Sequence, residues 1–329
     1  MARDLYARFN NKSEVAREMG LNRSKVGRLL GVSDNSPPAS AQADLPTFAD
    51  EDIPAEDILD HMGKRFDQRI DHEKSIEWFK IRLPTDEPIG LCAVGDPHLG
   101  ANSCNIPLLR SDIEIMASTP GVYAMNMGDT ADNWGRLIHL YAENDVSRQT
   151  ERRLARWFLQ DAGVPWLLWV LGNHDTMHGE FSTYLKTINA STIPMVEWRA
   201  RFKLAFPCGQ EIKVDAAHNH KGTSIYNKLH GQIRAALWGQ DADIYVAGHH
   251  HDCAIMQVEL DDGRWVNIAR ARGYKWLDDW ATKGGFRNNL YGATVMFVID
   301  PKEEDPSARV HTYANLRKGA EFLTYLRSR

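Results

Sequence analysis

Five short motifs rich in histidine and aspartate punctuate this chain of 329 residues. They are Gly95-Asp96-Pro97-His98, Gly128-Asp129, Gly172-Asn173-His174-Asp175, His218-Asn219-His220 and Gly248-His249-His250-His251. Each ends or follows an apolar stretch of strand length, at 89–94, 121–127, 164–171, 211–217 and 244–247. Carboxylate, amide and imidazole groups act together only when they converge, so a fold with this pattern must bring several strand ends to one edge. That donor set suits hard and borderline divalent cations, and its size suits two of them.

The segments between the motifs fit such a fold. A first strand is predicted at 78–81, helices at 106–117 and 148–160, and further strands at 254–259, 265–268 and 293–299. Asp261-Asp262-Gly263 stands between two of these strands, as a hairpin turn does. Alternation of strand and helix, with polar residues just past strand ends, predicts a layered α/β protein over 77–329.

The first 76 residues read differently. In 12–30 (KSEVAREMGLNRSKVGRLL), Val15, Ala16 and Met19 form one apolar helical face and Val26, Leu29 and Leu30 another, with Gly20 between. This spacing predicts a helix-turn-helix unit over 1–31, with Arg23, Lys25 and Arg28 on its second helix. Seven basic residues against three acidic ones give the unit +4, although the whole chain carries −5. DNA phosphates are one partner for that charge, and simple solvation of a packed helical hairpin is the other reading. Residues 32–56, rich in Pro, Ser, Ala and acids, read as a linker. Ile58, Met62, Phe66 and Ile70 then recur every fourth residue, which predicts one amphipathic helix over 57–76. That helix is expected to pack on the domain over 77–329 or on a copy of itself.

The acidic balance excludes a protein that coats nucleic acid through general basicity. Four cysteines without a paired spacing suggest reduced, mostly buried thiols. No apolar run approaches the roughly 20 residues of a membrane span, and the N-terminus lacks an apolar signal core, so no membrane partner and a cytoplasmic location are expected.

Within the motifs, Asp96 and His98 lie two apart beyond a strand and can share one ion. Asp129 offers two oxygens, so it can bridge two cations, and Gly128 lets the backbone pass close by. Asn173 supplies an amide oxygen. His174 is placed to protonate a leaving oxygen, with Asp175 to fix its tautomer. In the fourth motif either His218, nearer the strand end, or His220 is a ligand. His249 and His251 alternate around an outward His250.

Taken in order, the five motifs resemble the calcineurin-like metallophosphoesterase superfamily over roughly 77–310. The stretches GDTADNWGRL, HNHKGTSIYNKLHG and RGYKWLDDW are most similar to phage and prophage metallophosphoesterases with an N-terminal helix-turn-helix. Double-strand-break repair nuclease subunits share the five motifs more distantly. The resemblance implies a β-sandwich flanked by helices, with a dinuclear site at the strand ends. It places one ion on Asp96, His98, Asp129 and His251, and the other on Asp129, Asn173, His218 and His249. Mn²⁺ is the ion it suggests first, with Fe, Zn or Mg²⁺ as others. Where many relatives carry Asn or Asp followed by Arg, this chain has Asp132-Asn133, so Arg136 either takes over a phosphate contact or is an ordinary surface charge.

The activity so implied is hydrolysis of a phosphate ester by metal-activated hydroxide, with His174 as general acid. Asn133, Arg136, His220 and Arg272 are the candidate substrate contacts. Arg270, Arg272, Tyr274, Lys275 and Trp276 form a basic-aromatic cluster that binds phosphate and stacks bases, or else belongs to a structural loop and core. DNA is the expected substrate. A phosphatase or cyclic-nucleotide phosphodiesterase, and a DNA-binding regulator with a vestigial enzyme domain, are the alternatives.

Overall fold

The computed structural model describes residues 1–31, 53–75, 77–133, 146–177, 179–190, 192–239, 241–276 and 292–329. Arg136 and parts of the stretches around the second motif and after Trp276 lie outside them. The chain divides into two units, Met1–Gln68 and Arg69–Arg329.

In the first unit three short helices, α1 (Ala2–Phe9), α2 (Lys12–Glu18) and α3 (Arg23–Leu29), close around Val15, Ala16 and Val26. Asn11 and Asn22 cap α2 and α3 by accepting the N–H groups of Ser13 and Lys25. Helix α1 adds Leu5, Tyr6 and Phe9 to this small core, a contribution the 12–30 pattern does not announce. Leu29, expected on the apolar face, is instead half-exposed. Arg23, Lys25 and Arg28 lie on the solvent side of α3. A 21-residue helix, α4 (Ala55–Ser75), follows.

The second unit is a mixed α/β fold of two six-stranded sheets flanked by helices. One sheet has the order β12-β11-β2-β3-β4-β5, built from β2 (Ile89–Val94), β3 (Val122–Asn126), β4 (Trp166–Leu171), β5 (Met195–Glu197), β11 (Val295–Ile299) and β12 (Val310–Tyr313). The other runs β1-β6-β7-β8-β10-β9, from β1 (Phe79–Arg82), β6 (Arg199–Ala205), β7 (Glu211–Ala217), β8 (Ile244–Ala247), β9 (Ala254–Glu259) and β10 (Trp265–Arg270). The β-sandwich flanked by helices that the motif resemblance implies is the architecture observed.

Strand alternation explains why the sheets face each other. Along β2, Ile89, Leu91 and Ala93 enter the core between the sheets, while Cys92 and Val94 point to the other face. The inter-sheet core joins Leu91, Met125, Leu168 and Phe297 of one sheet to Phe202, Leu204, Val214 and Val246 of the other. The outer face of the first sheet packs on α5 (Ile106–Ser118), α6 (Arg148–Arg156), α8 (Glu180–Asn189) and α10 (Leu316–Arg327) through Leu109, Ala155, Leu185 and Leu323, among others. The outer face of the second packs Tyr245 and Ile268 against α9 (His230–Trp238). A short helix, α7 (Asn173–Thr176), starts one residue beyond the glycine that follows β4.

Two sets of parallel neighbours decide where the motifs go. Strands β2, β3 and β4 are parallel, so Asp96, Asp129 and Asn173 all emerge at one edge. Strands β7 and β8 are also parallel, and release His218 and His249 together. The Gly248 N–H donates to the His218 carbonyl at 3.1 Å and ties the two loops. Between β9 and β10 the Gly263 backbone is left-handed (φ 81°) and its N–H donates to the Leu260 carbonyl, which makes the tight turn expected there. Among the described residues no helix is long and apolar enough to cross a membrane. All four cysteines are free; Cys92 and Cys104 are buried, Cys253 is half-buried, and Cys208 is exposed.

Candidate metal centre

Three groups of donor atoms form where the strand ends meet. Asp96, His98 and His251 make one, Asp129, His218 and His249 a second, and His98, Asp129 and His174 a third. Within each group the ligand atoms lie within 4.8 Å of one another.

On one side, His98 Nε2 and His251 Nε2 are 3.0 Å apart, and His251 Nε2 is 3.3 Å from Asp96 Oδ2. On the other, His218 Nε2 lies 3.0 Å from His249 Nδ1 and 2.9 Å from Asn173 Oδ1. Asp129 Oδ2 stands between, 3.3 Å from His218 Nε2 and 3.9 Å from His98 Nε2. A single carboxylate oxygen therefore faces both histidine pairs, which is the position of a bridging ligand.

The tautomers are set from behind. His218 Nδ1–H donates to the Met127 carbonyl at 2.9 Å, and His98 Nδ1–H donates to Asp132 Oδ1 at 2.9 Å. Each bond leaves Nε2 facing inward, where it offers a lone pair to a cation once any proton there is displaced, as outer partners of metal-binding histidines do. Lys275 Nζ donates to the same Asp132 oxygen at 2.9 Å.

Burial lowers His98 to about 4 and His249 to about 4, so both rings are neutral lone-pair donors at pH 7. Burial also pulls His218 down, but the charge and hydrogen bond of Asp129, with Asp96 and the Met127 carbonyl, outweigh it and raise the ring to about 10. Burial likewise opposes ionisation of Asp129, and the surrounding histidines outweigh it and hold that carboxyl far below its ordinary value. His218 Nε2 thus sits among Asn173 Oδ1, Asp129 Oδ2 and His249 Nδ1, a convergence of lone pairs that calls for positive charge. Asp96 adds a fully buried Oδ1 with no hydrogen-bond partner, while its Oδ2 accepts the His249 N–H at 2.7 Å. These residues fit divalent cations on both the orphaned oxygen and the donor chemistry.

The backbone is bent to suit. His98, Asp129, His249 and His251 all have left-handed φ, from 46° to 69°. Such conformations are uncommon outside glycine and cluster at functional sites. Gly128 (φ 109°) shows the closeness of approach, since a Cβ there would lie 2.5 Å from His218 Nδ1. A Cβ on Gly172 would lie 2.3 Å from Asp129 Oδ1.

Other expected site residues take different places. Asp175 does not steady the His174 ring. Its two oxygens accept the Thr130 and Gly172 N–H groups at 3.0 and 2.9 Å, tying the Asp129 loop to the Asn173 loop. Burial and the Asp129 charge raise its carboxyl to about 7. The His174 Nδ1 instead meets the backbone carbonyl of Asp132. Asn133 is buried, its Nδ2 donating to the His174 carbonyl at 2.7 Å. His220 is also buried, and its Nε2 bonds Asp215 Oδ1 at 3.2 Å, because Asp215 within apolar β7 needs partners and takes Arg199 and His220. His218 is therefore the member of the fourth motif that reaches the cluster. Arg272 is half-buried and donates to the Gly292 carbonyl at 3.1 Å.

The basic-aromatic cluster divides in the same way. Arg270 is buried against Asp252, Tyr274 against Asp112, and Lys275 against Asp132, leaving Trp276 as the exposed member. What the sequence does not announce is the pairing of Asp132 with Lys275 behind His98, because 143 positions separate them. Trp198 is also unannounced: half-exposed, left-handed (φ 66°), its ring 6.0 Å from that of His218.

No protein-family model matches the chain, and no curated protein matches it in sequence. Among solved structures it is similar to the Haemophilus influenzae NAD nucleotidase NadN at 11% identity, covering 69% of this chain and 49% of that one, with a TM-score of 0.38. It thus spans about half the length of that enzyme. The calcineurin-like phosphoesterase YfkN of Bacillus subtilis is similar at 11% identity over 73% of this chain and 99% of that chain, TM-score 0.40. A 5'-nucleotidase precursor of Thermus thermophilus is similar at 10% identity over 73% and 58%, TM-score 0.35.

Proposed function

We propose that the chain is a metal-dependent phosphoesterase and that its substrate is a phosphodiester of DNA. The observation that carries the first part is the pair of donor groups facing a shared Asp129 oxygen. Asp96, His98 and His251 would hold one cation, Asn173, His218 and His249 the other, with Asp129 common to both. When bound, the two ions supply Lewis acidity to the phosphoryl group and lower the pKa of water.

The chain's own contribution is proton control and alignment. His174 places a ring nitrogen among His98 and Asp129. With Nδ1–H held by the Asp132 carbonyl, the ring as an imidazolium carries its second proton on Nε2. Transfer of that proton to the departing alkoxide leaves a neutral ring that keeps its Nδ1–H bond, so no side chain has to turn. Asn133 fixes the His174 backbone and Asp175 fixes the loops on either side. DNA as substrate is supported by the exposed basic face of α3, where Arg23, Lys25 and Arg28 can meet phosphates.

The test uses metal-stripped protein restored with Mn²⁺. Hydrolysis is compared on bis-p-nitrophenyl phosphate, p-nitrophenyl phosphate, linear duplex DNA and single-stranded DNA, with His174→Ala as control. Diester and DNA cleavage that falls with His174→Ala, while bound metal is retained, is the expected result. Cleavage of the monoester alone overturns the diesterase reading, and bound metal with no turnover overturns the enzyme. Substituting Arg23, Lys25 and Arg28 by Ala should lower the salt slope of duplex binding by roughly 0.9 per lost phosphate contact. An unchanged slope refutes their role.

A further inference from the structure

We infer, on the basis of the phosphoesterase reading above, that Trp198 selects the substrate: its indole stacks on the nucleobase next to the phosphate held at the donor groups. Trp198 is the single residue between β5 (Met195–Glu197) and β6 (Arg199–Ala205), where the chain leaves one sheet for the other. Strand β5 ends with Glu197 beside Leu171 of β4, and β6 begins with Arg199 opposite Ala217 of β7. Trp198 therefore sits at the edge where Gly172-Asn173 leaves β4 and His218 leaves β7. Backbone bonds fix it to both loops. Its N–H donates to the Leu171 carbonyl at 3.0 Å, and its carbonyl accepts the His218 N–H at 2.8 Å.

Held in this way, the residue is left-handed, at φ 66°. For a side chain as bulky as an indole that conformation is an outlier, of the kind that collects at ligand clamps. Packing does not account for a tryptophan there, because 46% of it is exposed. The ring meets His218 edge to face, with 70° between the planes and 6.0 Å between the centroids. In such a pair the imidazole covers at most one face of the indole, which leaves at least one face for another partner. His218 Nε2 itself lies 2.9 Å from Asn173 Oδ1 and 3.3 Å from Asp129 Oδ2. An aromatic face thus borders the residues that would hold the second cation. A flat ring one sugar away from a bound phosphate fits that face, and a nucleobase is such a ring. Stacking asks only for a π-face, so this contact accepts every base and reads no sequence.

The test uses the full chain restored with Mn²⁺ and two diesters, the p-nitrophenyl ester of thymidylate and that of abasic deoxyribose phosphate. They differ only in the base. The readout is the ratio of their kcat/KM values. Beside it stands the ratio of dissociation constants for thymidylate and abasic deoxyribose phosphate, measured by calorimetry. The parent should favour the thymidine form roughly tenfold in both. Trp198→Leu keeps apolar bulk over His218 and removes the π-face. It should abolish most of the preference, through KM rather than kcat, and Trp198→Phe should restore most of it. A parent ratio near one, or a preference that survives Trp198→Leu, overturns the assignment. An equal loss on both ligands does so too, because a residue that only props His218 acts on the phosphate whatever it carries. A parent that binds both ligands and hydrolyses neither diester overturns the phosphoesterase reading instead, while the calorimetric ratio still decides Trp198. If Trp198→Leu fails to fold, Trp198→Gly, which suits the left-handed backbone, takes its place with the same outcomes.

Discussion

Asp112→Asn should remove a loss of stability that the protein suffers between acid and neutral pH. Asp112 lies on α5 with 4% of its surface exposed. Its Oδ2 accepts the Tyr274 hydroxyl at 2.7 Å, and that hydroxyl lies 2.7 Å from Thr294 Oγ1. Burial pushes the carboxyl from 3.8 up to about 6, against the hydrogen bonds of Tyr274 and Thr294. The folded protein therefore holds the Asp112 proton more tightly than the unfolded chain does. Stability from this group is full below pH 4 and is lost as pH rises through 6. About two pH units at 1.36 kcal/mol each make the loss about 3 kcal/mol. Asparagine keeps the acceptor for Tyr274 and has no proton to lose, though its added N–H groups cost something constant, about 1–3 kcal/mol if unpaired. That constant cancels when the variant is compared with the parent at two pH values. The stability of Asp112→Asn relative to the parent should rise by about 3 kcal/mol from pH 3.5 to 7.5. Urea unfolding of both chains in EDTA, followed by near-ultraviolet circular dichroism at several pH values, measures it. Parallel curves for the two proteins would refute the reasoning, because then burial does not hold the proton. The site is coupled to this network, since the Tyr274 N–H donates to the Asp96 carbonyl at 2.9 Å.

Two further substitutions separate residues that sequence leaves alike. His218→Ala should lower the bound Mn²⁺ by one ion per chain, measured by inductively coupled plasma mass spectrometry. His220→Ala should keep both ions and instead cost stability by uncovering Asp215 beside Arg199. Loss of an ion from His220→Ala alone would reverse the assignment. Asn133→Ala frees the His174 backbone, so kcat should fall by roughly tenfold, about 1.4 kcal/mol, with KM unchanged. A rise in KM at constant kcat would return Asn133 to a direct substrate contact.

Much of the sandwich is legible because central strands buried on both faces read as continuous apolar runs. The six buried residues of β2 and the apolar run of β4 mark central strands, and the polar residue after each marks the edge. The arms around the site are legible for the same reason: one residue type past each strand end. What fails is discrimination by parity. His218 and His220 are two apart and would share one side of an extended segment, so spacing cannot choose between them. The deciding fact is Asp215, a carboxylate inside β7 that must find a partner and finds His220. Asp132 and Asn133 fail differently. Their roles rest on contacts with Lys275 and His174, which topology brings near and local pattern does not encode. Asp175 looks like a histidine partner because it is adjacent in sequence, yet α7 turns its carboxylate back onto backbone N–H groups.

The clustered left-handed residues explain why the motifs take the form they do. A non-glycine residue in that region costs on the order of 1–3 kcal/mol, and His98, Asp129, His249 and His251 all adopt it. Asp and His tolerate it better than branched residues, and the four motif positions carry only those types. Three of these bends, at His98, Asp129 and His249, are held by bonds made at the site itself. The His98 N–H donates to the Asp129 carbonyl at 2.9 Å, the His249 N–H to Asp96 Oδ2, and the His174 N–H to Asp129 Oδ1 at 2.9 Å. Asp129 therefore serves twice, with Oδ1 pinning the Asn173 loop and Oδ2 facing the histidines, and Asp96 Oδ2 does both at once, holding the His249 N–H while lying 3.3 Å from His251 Nε2. The parallel strands β2, β3, β7 and β8 beneath supply the rigidity that lets the loops stay bent. The conformational cost falls on the few residues that converge, and the packed sheets below offset it.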